Sequence, residues 1–140
     1  YKEAVRIDAN STKTRKALAD FYRWNRKPEL AEVELVEIIR RSPKDIEAII
    51  TLGDFYASEK RNEEAEKEFI KAVELAPKDS PFRIHLGDFY RKIGKTEKAI
   101  EVYEKVLVQE GSNLPARLRL ADLYLSQKKY DKVAELTEKY

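Results

Sequence analysis

Apolar residues in the middle of the chain recur at helical spacing. Ile49, Leu52, Gly53 and Tyr56 fall at i, i+3, i+4 and i+7, one stripe of an amphipathic helix, and Ala65, Phe69, Ala72 and Val73 form the matching stripe of a second. The link between them, Ser58-Glu59-Lys60-Arg61-Asn62, is short and polar, so the two helices are expected to lie antiparallel. Leu86, Gly87, Tyr90, Ala99, Tyr103 and Val106 repeat the arrangement. The pentad Leu52-Gly53-Asp54-Phe55-Tyr56 returns unchanged as Leu86-Gly87-Asp88-Phe89-Tyr90. It recurs in altered form as Leu18-Ala19-Asp20-Phe21-Tyr22 and Leu120-Ala121-Asp122-Leu123-Tyr124, always 34 residues apart. A strict period of that length is the mark of a row of two-helix units, each packing on its neighbours, with no single central core.

The period divides the chain. Residues 1–11 align with residues 69–79, two periods on, and read as the tail of a second helix whose partner is missing, so the chain is expected to open inside a repeat. Full units are expected over 12–45, 46–79 and 80–113, and a truncated one over 114–140. In the first unit one helical pattern reaches Asn25 and another runs from Pro28 to about Arg41, because proline at the first turn of a helix sacrifices no hydrogen bond. Pro77 and the Gly111-Ser112-Asn113 run mark helix stops, Gly94 sits in an inner turn, and Ser80 before Pro81 is a candidate cap. At the ends, Tyr1, Ala4 and Val5 and the Val133, Leu136 and Tyr140 face have nothing supplied to cover them, which raises end-to-end self-association.

Composition removes several classes of function. Charged residues make up 39% of the chain, yet the formal net charge is only +2, a mixed balance that calls for neither a nucleic acid nor a membrane as partner. With no cysteine there is no disulfide, thiolate metal site or cysteine nucleophile, and the compartment is left open. His85 is the sole histidine and has no second imidazole to complete a metal site or catalytic dyad. The four glycines are scattered, so no phosphate-cradling loop exists. The expectation is a protein that is not an enzyme, with no cofactor and no metal. Glu63, Glu64, Glu66 and Glu68 interleave with Lys67 and Lys71 as a solvated outer face. Methionine is absent, so Tyr1 is not expected to be a natural start.

Leu52, Gly53, Tyr56, Ala65, Phe69 and Pro77, with Leu86, Gly87, Tyr90, Ala99 and Tyr103, carry a pattern that resembles the tetratricopeptide repeat along the whole chain. The departures are mild: the family's early Trp is Arg15, Ile49, Arg83 and Arg117, its Gly is Ala19 and Ala121 in the outer units, and Val133 and Thr137 replace an Ala and an aromatic. The resemblance implies an all-α fold, a right-handed superhelical α-solenoid of antiparallel helix pairs, serving as a non-catalytic scaffold for protein–protein interaction. It also implies a concave groove, lined by the first helix of each pair, for a peptide or partner segment. The alternative it implies is a regulatory or positioning region of a larger enzyme, or of a bacterial secretion or polysaccharide-export assembly.

Carried over by register, the groove would be lined by Lys16, Asp20 and Arg23, then Ile50 and Asp54, then Ile84, Asp88 and Arg91, then Leu118 and Asp122. Two columns result, an acidic one of Asp20, Asp54, Asp88 and Asp122 and an apolar one of Ile50, Ile84 and Leu118. Helices ~8–10 Å apart would let neighbouring carboxylates repel by only about 0.4–0.5 kcal/mol in water, so the acidic column is tolerable without a ligand. It suits a protein or peptide partner that carries basic residues or free backbone N–H groups. The competing expectation is that each Asp pairs with a nearby base such as Arg23, His85, Arg91 or Arg119. Members of the family that grip acidic chaperone tails use Asn where this chain has Asp20, Asp54 and Asp88, and bases where it has Pro81 and His85, so that ligand is not expected. Trp24, between Arg23 and Arg26, is a candidate interface anchor, or packs on a preceding repeat.

Overall fold

A computed structural model of the chain describes residues 12–77 and 81–139. These residues form α-helices and no strand: α1 (Thr12–Trp24), α2 (Pro28–Arg41), α3 (Ile46–Ser58), α4 (Asn62–Leu75), α5 (Phe82–Lys92), α6 (Thr96–Gln109), α7 (Leu114–Ser126) and α8 (Tyr130–Lys139). The chain is all-α and divides into two compact units, Tyr1–Leu75 with α1 to α4 and Ala76–Tyr140 with α5 to α8. The expected helix tail over 1–11, the Ser80 cap, and the Tyr1, Ala4, Val5 and Tyr140 faces lie outside the described residues.

Each inner turn is made the same way. The amide of Arg61 donates to the carbonyl of Tyr56 at 2.9 Å and that of Lys60 to Ala57 at 3.0 Å, a paired closure of the helix end that requires a left-handed residue at position 60. Arg26, Lys60 and Lys128 take φ of 57°, 61° and 59°, and Gly94 takes 82°, so the left-handed residue recurs every 34 positions. The tyrosine of each pentad supplies the accepting carbonyl: Lys27 donates to Tyr22, Lys95 to Tyr90 and Lys129 to Tyr124, all at 2.8 Å. Pro28 opens α2 at its first turn. Asp45 and Asn113 cap α3 and α7 by accepting from the amides of Ala48 and Ala116, whereas Pro81, at the start of α5, offers no side-chain cap.

The hairpins close on one contact. A Cβ built on Gly53 would lie 2.6 Å from Cε1 of Phe69, and one on Gly87 would lie 2.9 Å from Cδ1 and Cζ of Tyr103. Both rings are essentially fully buried, so neither has room to swing aside. Glycine is therefore what allows an aromatic ring to rest directly on the first helix. At the same register the first hairpin has Ala19 with Leu35 and the last has Ala121 with Thr137, a larger first residue facing a smaller second one.

Two expectations are corrected by the burial pattern. Ile50 and Ile84 are 9% and 8% exposed while Leu118 is 57% exposed, so the apolar column is not a continuous open strip. The reason is that α3 and α5 bury residues on more than one face: Ala48, Phe55 and Phe89 join the core along with the expected stripe. At the C-terminal end, Leu136 is only 5% exposed and Val133 half-buried, because α8 packs its single apolar stripe on α7. Leu136 is thus not the uncovered face that self-association would need.

Gly53→Ala is expected to lower stability by about 1–2 kcal/mol, since overpacking at ~1–3 kcal/mol outweighs a helix-propensity gain of up to ~1 kcal/mol. Adding Phe69→Leu, which recreates the Ala19 and Leu35 combination, should make the pair less destabilising than the sum of the single changes. Urea denaturation of the full double-mutant cycle measures this, and strict additivity would refute the ring-on-glycine account. At the inner turns, Lys60→Gly should raise stability by up to about 1 kcal/mol and Gly94→Ala lower it by about 1 kcal/mol in the same assay.

Candidate functional site

In the first unit α1 and α3 carry the expected residues as follows. Asp20 and Arg23 are exposed on α1 and Lys16 is half-buried, while on α3 Asp54 is exposed one period after Asp20. The Arg23 guanidinium lies 5.9 Å from the centre of the Phe55 ring, which holds it across the two helices by a cation–π contact. Asp20, Arg23, Trp24, Arg26, Pro28, Ser58 and Glu59 line an open cleft of about 720 Å³ where the two inner turns approach. Trp24 is 87% exposed, so among the described residues it is not packed on anything that hides it.

In the second unit the same register is wired differently. Oδ1 of Asp88 accepts from the Tyr103 hydroxyl and from Nε of Arg119, each at 2.6 Å. Asp122 is largely exposed and meets Arg91 only loosely, Nη2 to Oδ2 at 3.9 Å. Asp88 thus follows the internal-pairing expectation with Arg119 as its base, and Asp122 has a weak partner in Arg91. Asp88, Arg91, Lys92 and Arg119 bound one open hollow of about 460 Å³, and Asp88 and Arg119 bound another of about 410 Å³ with Pro81, Ile84, His85 and Pro115. Leu118 stands open on α7.

The Tyr103 hydroxyl was not singled out in the sequence, although its register held the signal. The residues at the corresponding position in the first unit are Leu35 and Phe69, neither of which has a hydroxyl to donate. A second network also went unread. Arg61 donates to both oxygens of Glu32 at 2.7 and 3.1 Å and to both of Glu64 at 2.8 and 2.6 Å, with its guanidinium 4.5 Å above the Tyr56 ring. Tyr56 donates to Glu32 at 3.1 Å, so α2, α3 and α4 are tied at one point. The hydrogen bonds from Arg61 hold the Glu32 and Glu64 carboxyls below the usual range. Burial first, and the Glu32 carboxylate second, push the Tyr56 phenol up to about 12. Burial likewise raises Tyr103 and Tyr124 well above the ordinary phenol value, helped by hydrogen bonds to Asp88 and Glu104.

Among the described residues no group of three or more His, Cys, Asp and Glu side chains could hold a metal ion, and no helix is long and apolar enough to cross a membrane. What the faces offer is an assortment of charged and apolar side chains on rigid helices, suited to contact with another polypeptide.

An all-helical chain of short antiparallel pairs at a 34-residue period defines the class of helical repeat proteins. Sequence profiles of the tetratricopeptide repeat match residues 46–79 and 90–140. The chain belongs to the tetratricopeptide repeat family and is a protein-interaction scaffold. Its fold is similar to the crystal structure of MamA, at 23% identity over 99% of this chain and 81% of that one, with a TM-score of 0.75. It is also similar to pilF of Pseudomonas aeruginosa, at 25% identity over 98% and 63% of the two chains and a TM-score of 0.72. A third likeness is to PilW, described as a widely conserved type IV pilus biogenesis factor, at 16% identity over 91% and 60% and a TM-score of 0.65. The chain spans less than two thirds of the length of the last two. No curated protein sequence matches it.

The raised phenols imply an alkaline limit with a definite sign. Tyrosines ionise near 10 in the unfolded chain, and Tyr56 only near 12 when folded, so the stability it contributes is complete below pH 10 and is lost as pH rises toward 12. Tyrosinate absorbance at rising pH should therefore show Tyr56, Tyr103 and Tyr124 ionising only together with loss of helix. Tyr56→Phe and Tyr103→Phe should each reduce that late absorbance step. Ionisation of all eight tyrosines near pH 10 with the helices intact would contradict the burial and bonding assigned to these three.

Proposed function

We propose that the chain binds partner proteins by holding an extended segment against the first-helix faces, with Asp20 and Asp54 of the first unit as the carboxylates that receive it. The observation carrying this is that both are exposed at one register position on helices of the same unit; at the same register in the second unit Asp88 accepts from Tyr103 and Arg119. Internal pairing gives Asp88 a structural task. The exposed carboxylates of Asp20 and Asp54 suit a ligand with Lys or Arg side chains or with backbone N–H groups, because charge-assisted hydrogen bonds to carboxylates are the stronger kind. In the second unit the contribution is apolar: Leu118 and Leu125 stand exposed on α7 and suit an aliphatic side chain of the partner.

Binding of a panel of Lys- and Arg-containing peptides by the Asp20→Ala/Asp54→Ala variant tests it. Affinity for the best binder should fall about tenfold, equivalent to ~1.4 kcal/mol. Asp88→Ala should instead lower the melting temperature and affect peptide binding little, since it strands Arg119 and Tyr103. Unchanged binding of every peptide by the double variant would refute the role given to Asp20 and Asp54.

A further inference from the structure

The open cleft of about 720 Å³ in the first unit holds more than the one carboxylate, Asp20, assigned to partner binding. Trp24, the sole tryptophan of the chain, lines it and is 87% exposed. Asp20 precedes Trp24 by four residues on α1, so the two share one face of the helix. Ser58, one period after Trp24, lines the same cleft and turns its hydroxyl back onto the Phe55 carbonyl at 2.7 Å, so a small side chain leaves the space beside the indole open. Glu59, exposed, follows α3 as its C-terminal cap residue. An aromatic face and two carboxylates thus border one hollow.

The same three parts are assembled elsewhere in this unit around an arginine. The Arg61 guanidinium lies 4.5 Å from the centre of the Tyr56 ring and donates to the carboxylates of both Glu32 and Glu64. At the cleft the chain's own arginines are not used in this way: Arg23 turns to the Phe55 ring, and among the described residues no cation lies over Trp24 and no ion pair holds Asp20 or Glu59. Charge in the cleft favours one further cation. Its lining has two acids, Asp20 and Glu59, and two bases, Arg23 and Arg26. Helices α1 and α3 both end there, at Trp24 and Ser58, and each C-terminus adds about half a negative charge, which brings the local balance to about −1. Lys27 and Lys60 belong to the same turns but do not line the cleft.

We infer that the cleft is a socket for one arginine side chain of the bound segment, whose guanidinium stacks on the Trp24 indole and donates to the carboxylates of Asp20 and Glu59. The inference rests on the reading that Asp20 receives a basic segment, and it adds which basic residue enters and where its side chain goes. Arginine is favoured over lysine because its planar guanidinium stacks on an aromatic face and reaches two carboxylates with one fork of donors, whereas an ammonium is a compact, strongly hydrated point charge. Tryptophan is the strongest of the aromatic platforms for a cation. A carboxylate in the same place would find Arg23 and Arg26, but it would also meet Asp20, Glu59 and two helix C-termini.

Because Trp24 is the sole tryptophan, its emission reports on the cleft directly and needs no variant. Alanine-rich decapeptides that differ only in carrying arginine, lysine or citrulline are titrated into the 140-residue chain, with Trp24 emission and calorimetric affinity as readouts. The arginine peptide should change the emission and bind about two- to fivefold tighter than the lysine peptide, with the citrulline peptide weakest. Trp24→Ala and Glu59→Gln, both at exposed positions, should each weaken arginine-peptide binding about two- to fivefold, and Trp24→Ala should abolish the preference for arginine over lysine. Arg26→Gln should tighten binding; weaker binding by that variant would overturn the choice of a cation as occupant. Equal affinity for the arginine and lysine peptides with Trp24 emission unmoved, while Asp54→Ala still weakens both, would overturn the socket and leave the first-helix reading standing. Failure of every basic peptide to bind would overturn both.

Discussion

The contact between the first helix and the residue sixteen positions on in the second is the constraint on which each hairpin is built, and at Gly53 and Gly87 it is a ring on bare backbone. Where the ring is present, at Phe69 and Tyr103, the first helix has glycine, and no Cβ could be accommodated without moving a fully buried aromatic. Where the second residue is smaller, as at Leu35, alanine is tolerated in the first helix. Volume is conserved across the pair, as close packing of a two-layer hairpin requires. A glycine inside a helix costs up to about 1 kcal/mol relative to alanine, and the buried ring offsets that cost with transfer free energy of about 2–3 kcal/mol. The pentad is therefore the visible half of a packing rule whose other half lies 16 residues later, at the ring.

The tyrosine of the pentad performs a second task through its backbone. Its carbonyl closes the helix, accepting the amide of the residue five positions on in all four inner turns, and its side chain ties adjacent hairpins where a carboxylate is in reach. Tyr56 reaches Glu32 and Tyr124 reaches Glu104, from two different positions of the preceding second helix. The turn geometry is thus repeated strictly while the side-chain ties vary, because the first depends only on backbone and the second on which residue each repeat supplies.

That distinction explains what could be read in advance. Helix boundaries near Pro28, Pro77 and Gly111 were legible because proline and glycine act locally, and the core stripes because they follow a 3.6-residue period. The three further core positions, Ala48, Phe55 and Phe89, were not, because a helix packed on several sides has no single stripe. For the same reason register alone places Ile50 and Ile84 on an open face, whereas both are buried. At the candidate site, register located the four aspartates but not their partners. Arg91, His85 and Arg119 were all plausible bases, and the choice between them depends on the distance between side chains on different helices, 2.6 Å for Arg119 to Asp88 and 3.9 Å for Arg91 to Asp122.

The contrast between Asp54 and Asp88 shows how one register position can take on different work. The two residues sit in identical pentads, so local sequence cannot separate them. What differs is the ring fifteen residues later: Phe69 has no hydroxyl to donate, whereas Tyr103 turns one onto Asp88. A single oxygen atom thus converts a space-filling position into a hydrogen-bonding one. With Arg119 on the same carboxylate oxygen, Asp88 joins α5, α6 and α7 and is committed to the fold. A buried phenol with a carboxylate acceptor resists ionisation, and that resistance is the measurable trace of the commitment. Repetition supplies the scaffold, and departures from it of a few atoms determine which groups each of its carboxylates meets.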